Sequence, residues 1–152
     1  MMTFTFYDPG ILIDEELELI LDGKYRGEPE KGYAPAYNFI MTLTGKRKEI
    51  GRIQLRLGNT ERIVMYIGHV GYRVYPQYQG NRYAARSCQL ILPLARQHNL
   101  NPFWITCNPD NLPSRRTCEI IGAEMIEIVD IPENMDLYKQ GDRQKCRYRL
   151  DL

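Results

Sequence analysis

Apolar and polar residues alternate most cleanly over Glu49–Leu57, where Ile53, Leu55 and Leu57 interleave with Arg52, Gln54 and Arg56. A period of two is the signature of a strand with one wet face. Ala36–Leu43 carries Tyr37, Phe39 and Met41 on one face in the same way, and Gly45-Lys46 reads as the turn between the two strands. Gly58-Asn59 makes a second turn. Ile63–Val74 is a long β-rich stretch interrupted by Gly68 and Gly71, and glycine inside a strand marks a bulge or a close backbone approach. Earlier, Thr3–Tyr7 alternates as a short strand would. Asp14–Leu21 has the pattern of a short helix: Asp14 as cap, acidic residues in the first turn, and Leu17, Ile20 and Leu21 on one face. Gly27–Pro35 is a loop.

The second half changes period. Arg82–His98 has helical spacing, with Ala85, Cys88, Ile91, Leu92 and Ala95 near one stripe, and Pro93 inside it should kink or loosen a turn. Phe103–Cys107 is a short apolar strand beginning near Trp104. Ser114–Ile121 is a short helix ended by Gly122. Ala123–Ile131 and Lys145–Leu150 are two more strands, joined by the polar loop Pro132–Asp142. Hairpins come first, then strand–helix–strand–helix–strand. That order predicts an α+β sheet with helices on its faces.

Composition narrows the reading without naming a chemistry. The 152 residues suit one domain, with 43% apolar and 26% charged residues. The formal net charge is +1, which gives no support for a nucleic-acid partner or a membrane surface. No apolar run is long enough to span a bilayer. Cys88, Cys107, Cys118 and Cys146 form no CxxC pair, and with two histidines they do not suggest a metal site. Reduced, separate thiols in a cytoplasmic protein are expected.

Chemistry concentrates in Tyr75–Ala84, which leads from the strand ending at Val74 into the helix. The first turn of a helix offers unpaired N–H groups and a partial positive charge. A polar loop containing Gly80 lets backbone amides curl around a phosphate. Gln77, Gln79 and Asn81 can donate hydrogen bonds, and Arg82 adds charge.

The segment Gly71–Ala84 resembles the cofactor motif of the GNAT (GCN5-related N-acetyltransferase) superfamily, Gln/Arg-x-x-Gly-x-Gly/Ala. Gln77 and Gly80 match its first and fourth positions; Arg82 stands at the sixth, where Gly or Ala is usual. Asn108–Ala123 resembles a later family pattern through Asn111, Ser114 and Gly122. The two motifs and the strands between them cover about Ile63–Val129. The resemblance implies a GNAT acyl-CoA N-acyltransferase fold over residues 1–152: a central mixed, mostly antiparallel sheet with splayed strands, flanked by helices. It implies an N-acetyltransferase that uses acetyl-CoA, needs no metal, and acts on an amine of a small molecule or protein. An acyl-CoA sensor of the same fold with little catalysis is the alternative. Pairing of two chains into a homodimer is a common arrangement in such proteins.

Roles carry over by position. Tyr72, Val74, Gln79, Gly80, Asn81, Arg82, Tyr83, Ala84, Asn111 and Ser114 are the expected cofactor contacts. His69 stands where the family often has a glutamate base, and imidazole suits proton transfer near neutral pH. Cys118 falls where the family often has a tyrosine that protonates the leaving thiolate. Tyr72, Tyr75 and Tyr83 are nearby in sequence, but nothing in the sequence ranks them as acids. Arg115 and Arg116 are candidate contacts for the 3′-phosphate of CoA.

Overall fold

Alternation governs the chain from its start, including the stretch expected to be helical. In the computed structural model, which describes residues 5–152, Leu12–Asp14 (β1) and Leu17–Tyr25 (β2) form an antiparallel hairpin across Glu15 and Glu16. Leu17 and Leu19 are buried while Ile20 is exposed, so period two prevails over the helical spacing of Leu17, Ile20 and Leu21. The acidic residues do not cap a helix here. Arg86 reaches Asp14 Oδ2 and Glu16 Oε1, both at 2.6 Å, and the Tyr83 hydroxyl donates to Glu16 Oε2 at 3.0 Å. They clamp the hairpin turn onto the helix expected at Arg82–His98. Of the strand expected at Thr3–Tyr7, Thr3 and Phe4 lie outside the described residues, and Thr5–Tyr7 is irregular.

The next strands follow the sequence closely. Ala36–Leu43 (β3) and Lys48–Arg56 (β4) pair in antiparallel register, with Tyr37, Phe39, Met41, Ile53 and Leu55 buried on one face. The loop at Gly27–Pro35 holds a 3₁₀ turn, Pro29–Lys31, closed by an antiparallel bridge between Glu28 and Tyr33. Ile63–Val74 divides. Arg62–Ile67 is a π-helical turn, closed by the Gly68 N–H donating to Ile63 O at 2.7 Å, and only Val70–Val74 (β5) is a strand. The run Ile63–Ile67 is continuously apolar, and such a run does not distinguish strand from helix.

Helix α1 (Tyr83–Gln97) packs Ala85, Cys88, Ile91, Leu94 and Ala95 against the sheet. Pro93 and Gln89, whose carbonyl the proline leaves without its helical donor, are both exposed, so the helix runs through without a break. Phe103–Cys107 (β6), Leu112–Ile120 (α2), Glu124–Asp130 (β7), the short helix Asp136–Lys139 (α3) and Gln144–Leu150 (β8) complete the chain. The strands form two sheets, ordered β1-β2-β3-β4-β5 and β6-β8-β7, and every ladder is antiparallel. This is the α+β, mostly antiparallel architecture expected from the element order.

Strands β5 and β6 share no ladder. Among the described residues they are hydrogen-bonded only at their bases, where the His69 N–H donates to Trp104 O at 2.8 Å and the Trp104 N–H donates to His69 Nδ1 at 2.9 Å. With Nδ1 accepting, the ring hydrogen sits on Nε2, which meets Asn59 Oδ1 at 2.9 Å. Gly68, at φ 73°, lets this corner close: a Cβ there would stand 3.0 Å from Trp104 O.

His69 is wholly buried, and burial, with Arg56 nearby, pushes its pKa down to about 4. The neutral ring is the folded form. Stability from this group is therefore complete above pH 6.5 and is lost as pH falls from 6.5 toward 4, because the unfolded histidine takes a proton first. The loss should approach about 3 kcal/mol. His98, also shifted down by burial, acts with the same sign. Urea unfolding of wild type and His69→Gln at pH 7.5 and pH 4.5 isolates the His69 share. The variant should be less stable at pH 7.5 and lose clearly less on acidification.

Candidate active site

The parting of β5 from β6 leaves backbone groups without a ladder partner. The Arg56 N–H donates to His69 O at 2.7 Å and the Tyr75 N–H to Ile50 O at 2.9 Å, which fixes the phase of the β4–β5 ladder. Successive residues of a strand alternate direction, so the backbone N–H and C=O of Tyr72 and Val74 point into the gap. Gln79 donates from Nε2 to Val74 O at 3.1 Å. The rest is free to pair with an extended, amide-bearing ligand.

Above this edge the chain turns through a 3₁₀ turn, Pro76–Tyr78, into α1. Gly80 adopts φ 93° and Arg82 φ 59°. A Cβ on Gly80 would touch nothing within 4 Å, so backbone conformation rather than space selects glycine. Arg82 accepts the left-handed conformation at the N-cap of α1 without a side-chain capping bond. The first amides of α1 therefore remain open for an anion, with the arginine beside them.

Across the gap stands α2. Asn111 Oδ1 accepts from the Ser114 N–H at 3.2 Å and caps that helix. Strand edge, loop and helix together enclose a cleft of about 560 Å³ lined by Tyr72, Val74, Gln79, Gly80, Arg82 and Ser114 among others. Nine of the ten expected cofactor contacts line it: Tyr72, Val74, Gln79, Gly80, Arg82, Tyr83, Ala84, Asn111 and Ser114. Asn81 does not; its Nδ2 donates to Tyr78 O at 3.2 Å and braces the turn from outside. Gln77, exposed on the 3₁₀ turn, does not line the cleft either.

The expected proton-transfer residues lie elsewhere. His69 is the buried tie between the sheets, with both ring nitrogens engaged and no place in the cleft wall. Cys118 is fully buried on the inner face of α2, and its pKa is raised by the adjacent Cys107 thiol and by burial. It too is absent from the cleft wall. Arg115 turns inward to Tyr148 and Pro109 O, so of the arginine pair only Arg116 faces the cleft.

Sequence reasoning left Tyr72 unranked as an acid. Its hydroxyl crosses the gap to Ser114 Oγ at 2.7 Å. Burial raises its pKa, with the Cys88 thiol nearby acting in the same direction, so the phenol stays protonated throughout the neutral range. A sequence count looks for a phenol on α2. Here one arrives at the same helix from the opposing strand, and only the fold brings the two together.

The acetyltransferase (GNAT) domain family matches residues 2–124. No curated protein matches this chain in sequence. Among solved structures, the chain is similar to a GNAT-family acetyltransferase from Bacillus anthracis, with a TM-score of 0.59 and 23% identity over 75% of this chain and 65% of that one. It therefore spans less than two thirds of that relative. It is also similar to RimL, a ribosomal L7/L12 alpha-N-protein acetyltransferase, with a TM-score of 0.66 and 15% identity over 93% of this chain and 97% of that one. The microcin C7 self-immunity acetyltransferase MccE, in complex with acetyl-CoA and AMP, matches with a TM-score of 0.60 and 17% identity over 77% of this chain and 61% of that one. At these identities the likeness is one of fold.

Two substitutions separate backbone from charge in the loop. Gly80→Ala should cost about 1–2 kcal/mol, because only φ forbids it. Arg82→Gly should relieve its left-handed strain, raising the melting temperature of the free protein, while weakening binding of CoA by removing a cation from the cleft. Melting curves with and without CoA separate the two effects.

Proposed function

The chain belongs to the acetyltransferase (GNAT) domain family, and we propose that residues 1–152 form one domain that moves an acetyl group from acetyl-CoA to an amine. The observation that carries this reading is the unpaired edge of β5, running directly into the open N-terminus of α1. A pantetheine-like chain fits the edge, and phosphates fit the helix end. Tyr72, Val74 and Ser114 would hold the arm, and Gly80, Arg82, Tyr83 and Ala84 the phosphates. The substrate supplies an acetyl thioester; the chain supplies position, amide donors and a proton.

Tyr72 is the proton source in this reading. Its protonated phenol, oriented by Ser114, gives a proton to the sulfur as the carbon–sulfur bond breaks and the new carbon–nitrogen bond forms. His69, buried and hydrogen-bonded at both nitrogens, takes no part in deprotonating the amine. The amine instead enters neutral from the outer face of the large sheet, its ammonium proton already lost to water; the N–H proton released as the carbon–nitrogen bond forms passes to water, and water returns a proton to the Tyr72 phenolate. Its class is read from the fold relatives, of which RimL acts on a protein α-amine. The N-terminal amine of a protein is accordingly the first acceptor to test. A donor held in the cleft favours turnover over a sensor that only binds acyl-CoA. Four free, buried cysteines suit a reducing, cytoplasmic setting. Among the described residues no helix is long and apolar enough to cross a membrane, and no group of three metal-ligating side chains gathers.

Acetyl-CoA should raise the melting temperature, and free thiol should appear when peptides with a free α-amine are added. Stabilisation without thiol release from any amine would remove the enzymatic reading. Tyr72→Phe should lower kcat by about 100-fold while KM for acetyl-CoA stays within about threefold. Because no histidine base acts, kcat/KM should rise with pH along the ionisation of the acceptor, near 8 for an α-amine. An acid-side inflection near 4, where the buried His69 takes its proton, that vanishes in His69→Gln would restore a catalytic role to His69.

A further inference from the structure

Behind the cofactor cleft, the outer face of the large sheet holds a second hollow of about 610 Å³. Gly23, Asn38, Gln54 and Gly71 line it together with Arg56, Arg73 and the ion pair of Arg52 with Asp22, and the β4–β5 register sets Arg73 opposite Arg52. Arg56 is mostly buried yet has no carboxylate. Its Nη1 donates to Ile67 O at 2.7 Å and to Gly68 O at 3.1 Å, and its Nε donates to Gln54 Oε1 at 3.0 Å. Gln54 is fixed in turn by Asn38 Oδ1 at 2.9 Å. Among the described residues no acid lies within ion-pair distance of Arg56 or Arg73, whereas Arg52 nearby is already paired with Asp22 and Glu49.

Nη2 of Arg56 makes no hydrogen bond to the described residues, and it lies against Gly71. A Cβ on Gly71 would stand 2.6 Å from Nη2, so the bare backbone at this position makes room for the guanidinium. The next residue of β5 is Tyr72, which reaches the cofactor side of the same strand. Arg56 is thus held by neutral acceptors and directed at the hollow one residue away from the proposed proton donor. Burial lowers its pKa to about 10, which leaves it charged at neutral pH. A desolvated cation held by neutral acceptors alone, without a counter-charge, is costly unless an anion arrives to pair with it.

We propose that Arg56, with Arg73 beside it, binds a carboxylate on the acceptor, so that amines carrying an anionic group close to the reacting nitrogen are preferred. The proposal rests on the acetyl-transfer reading above, and it adds the substrate's charge. Arginine suits the task because its fork matches a carboxylate and its charge does not titrate away. The second N–H pair, not spent on the protein, is the one offered to the ligand.

The test compares tetrapeptide amides with aspartate or asparagine at the second position, and 5-aminopentanoate with its amide. The acidic member of at least one pair should have a kcat/KM about tenfold higher or more, carried by KM, and 0.5 M NaCl should shrink the ratio. The pair that shows it tells a peptide carboxylate from a small-molecule one. Arg56→Gln should bring the ratio close to one, and Arg56→Lys should keep part of it. Arg56 also braces the Ile67 and Gly68 carbonyls, so the wild-type ratio and its salt dependence stand as evidence even if a variant folds poorly. Equal rates for acidic and neutral members, with turnover intact, would overturn the carboxylate site and leave acetyl transfer standing. Should no amine turn over, acetyl transfer fails instead. Titration calorimetry then decides the site: the acetylated aspartate peptide must bind wild type and lose binding in Arg56→Gln, or the proposal is withdrawn.

Discussion

Two strands that are neighbours in the fold and do not pair set the terms for everything else in this protein. A strand edge inside a domain normally completes its ladder, since buried amides without partners are costly. Here β5 leaves β6 after a single point of contact at His69 and Trp104. That contact is made rigid by satisfying every polar atom of the imidazole and by the glycine corner at Gly68. Beyond it the strands diverge, and the freed backbone of Tyr72 and Val74 becomes a binding surface.

The two faces of this opening are built differently. On the helix side, open amides, Arg82 and Arg116 favour phosphate, and the Tyr72–Ser114 pair holds a proton near the middle of the cleft. On the sheet side, Arg56 and Arg73, which have no carboxylate partner among the described residues, favour a carboxylate. One strand serves both. Gly71 admits the guanidinium on one face, and Tyr72 places its phenol on the other. The clamp from Arg86 to Asp14 and Glu16 holds the start of α1 against the first hairpin.

How much of this was legible depended on the range of the contacts involved. The loop Tyr75–Ala84 is a local device, and local spacing picked it out, as it did Asn111 and Ser114; that Asn111 caps α2 came from the structure. The strands β3 and β4, which alternate, and β6, a short apolar run, fell where expected. Asp14–Leu21 misled because acidic residues before an apolar stripe look alike at a helix start and at a hairpin turn. What separates them is Arg86, far along the chain. His69 misled for the same reason. Its place beside Gly71-Tyr72 suggested a base, but its partners Asn59 and Trp104 come from other elements and bury it.

The sequence by itself determined the strands from Ala36 to Arg56, the strand–helix–strand–helix–strand order of the second half, and, through its resemblance to known motifs, the family. The elements rest on periodicity and the motifs on residues a few positions apart, where local spacing is enough. Only the tertiary structure decided which side chains face the gap. It withdrew His69 and Cys118 into the core, turned Arg115 inward, and carried Tyr72 across to Ser114. It also left Arg56 charged and unpaired against Gly71. These are matters of burial and long-range pairing, and the energy of a buried proton or charge depends on neighbours that sequence spacing does not specify.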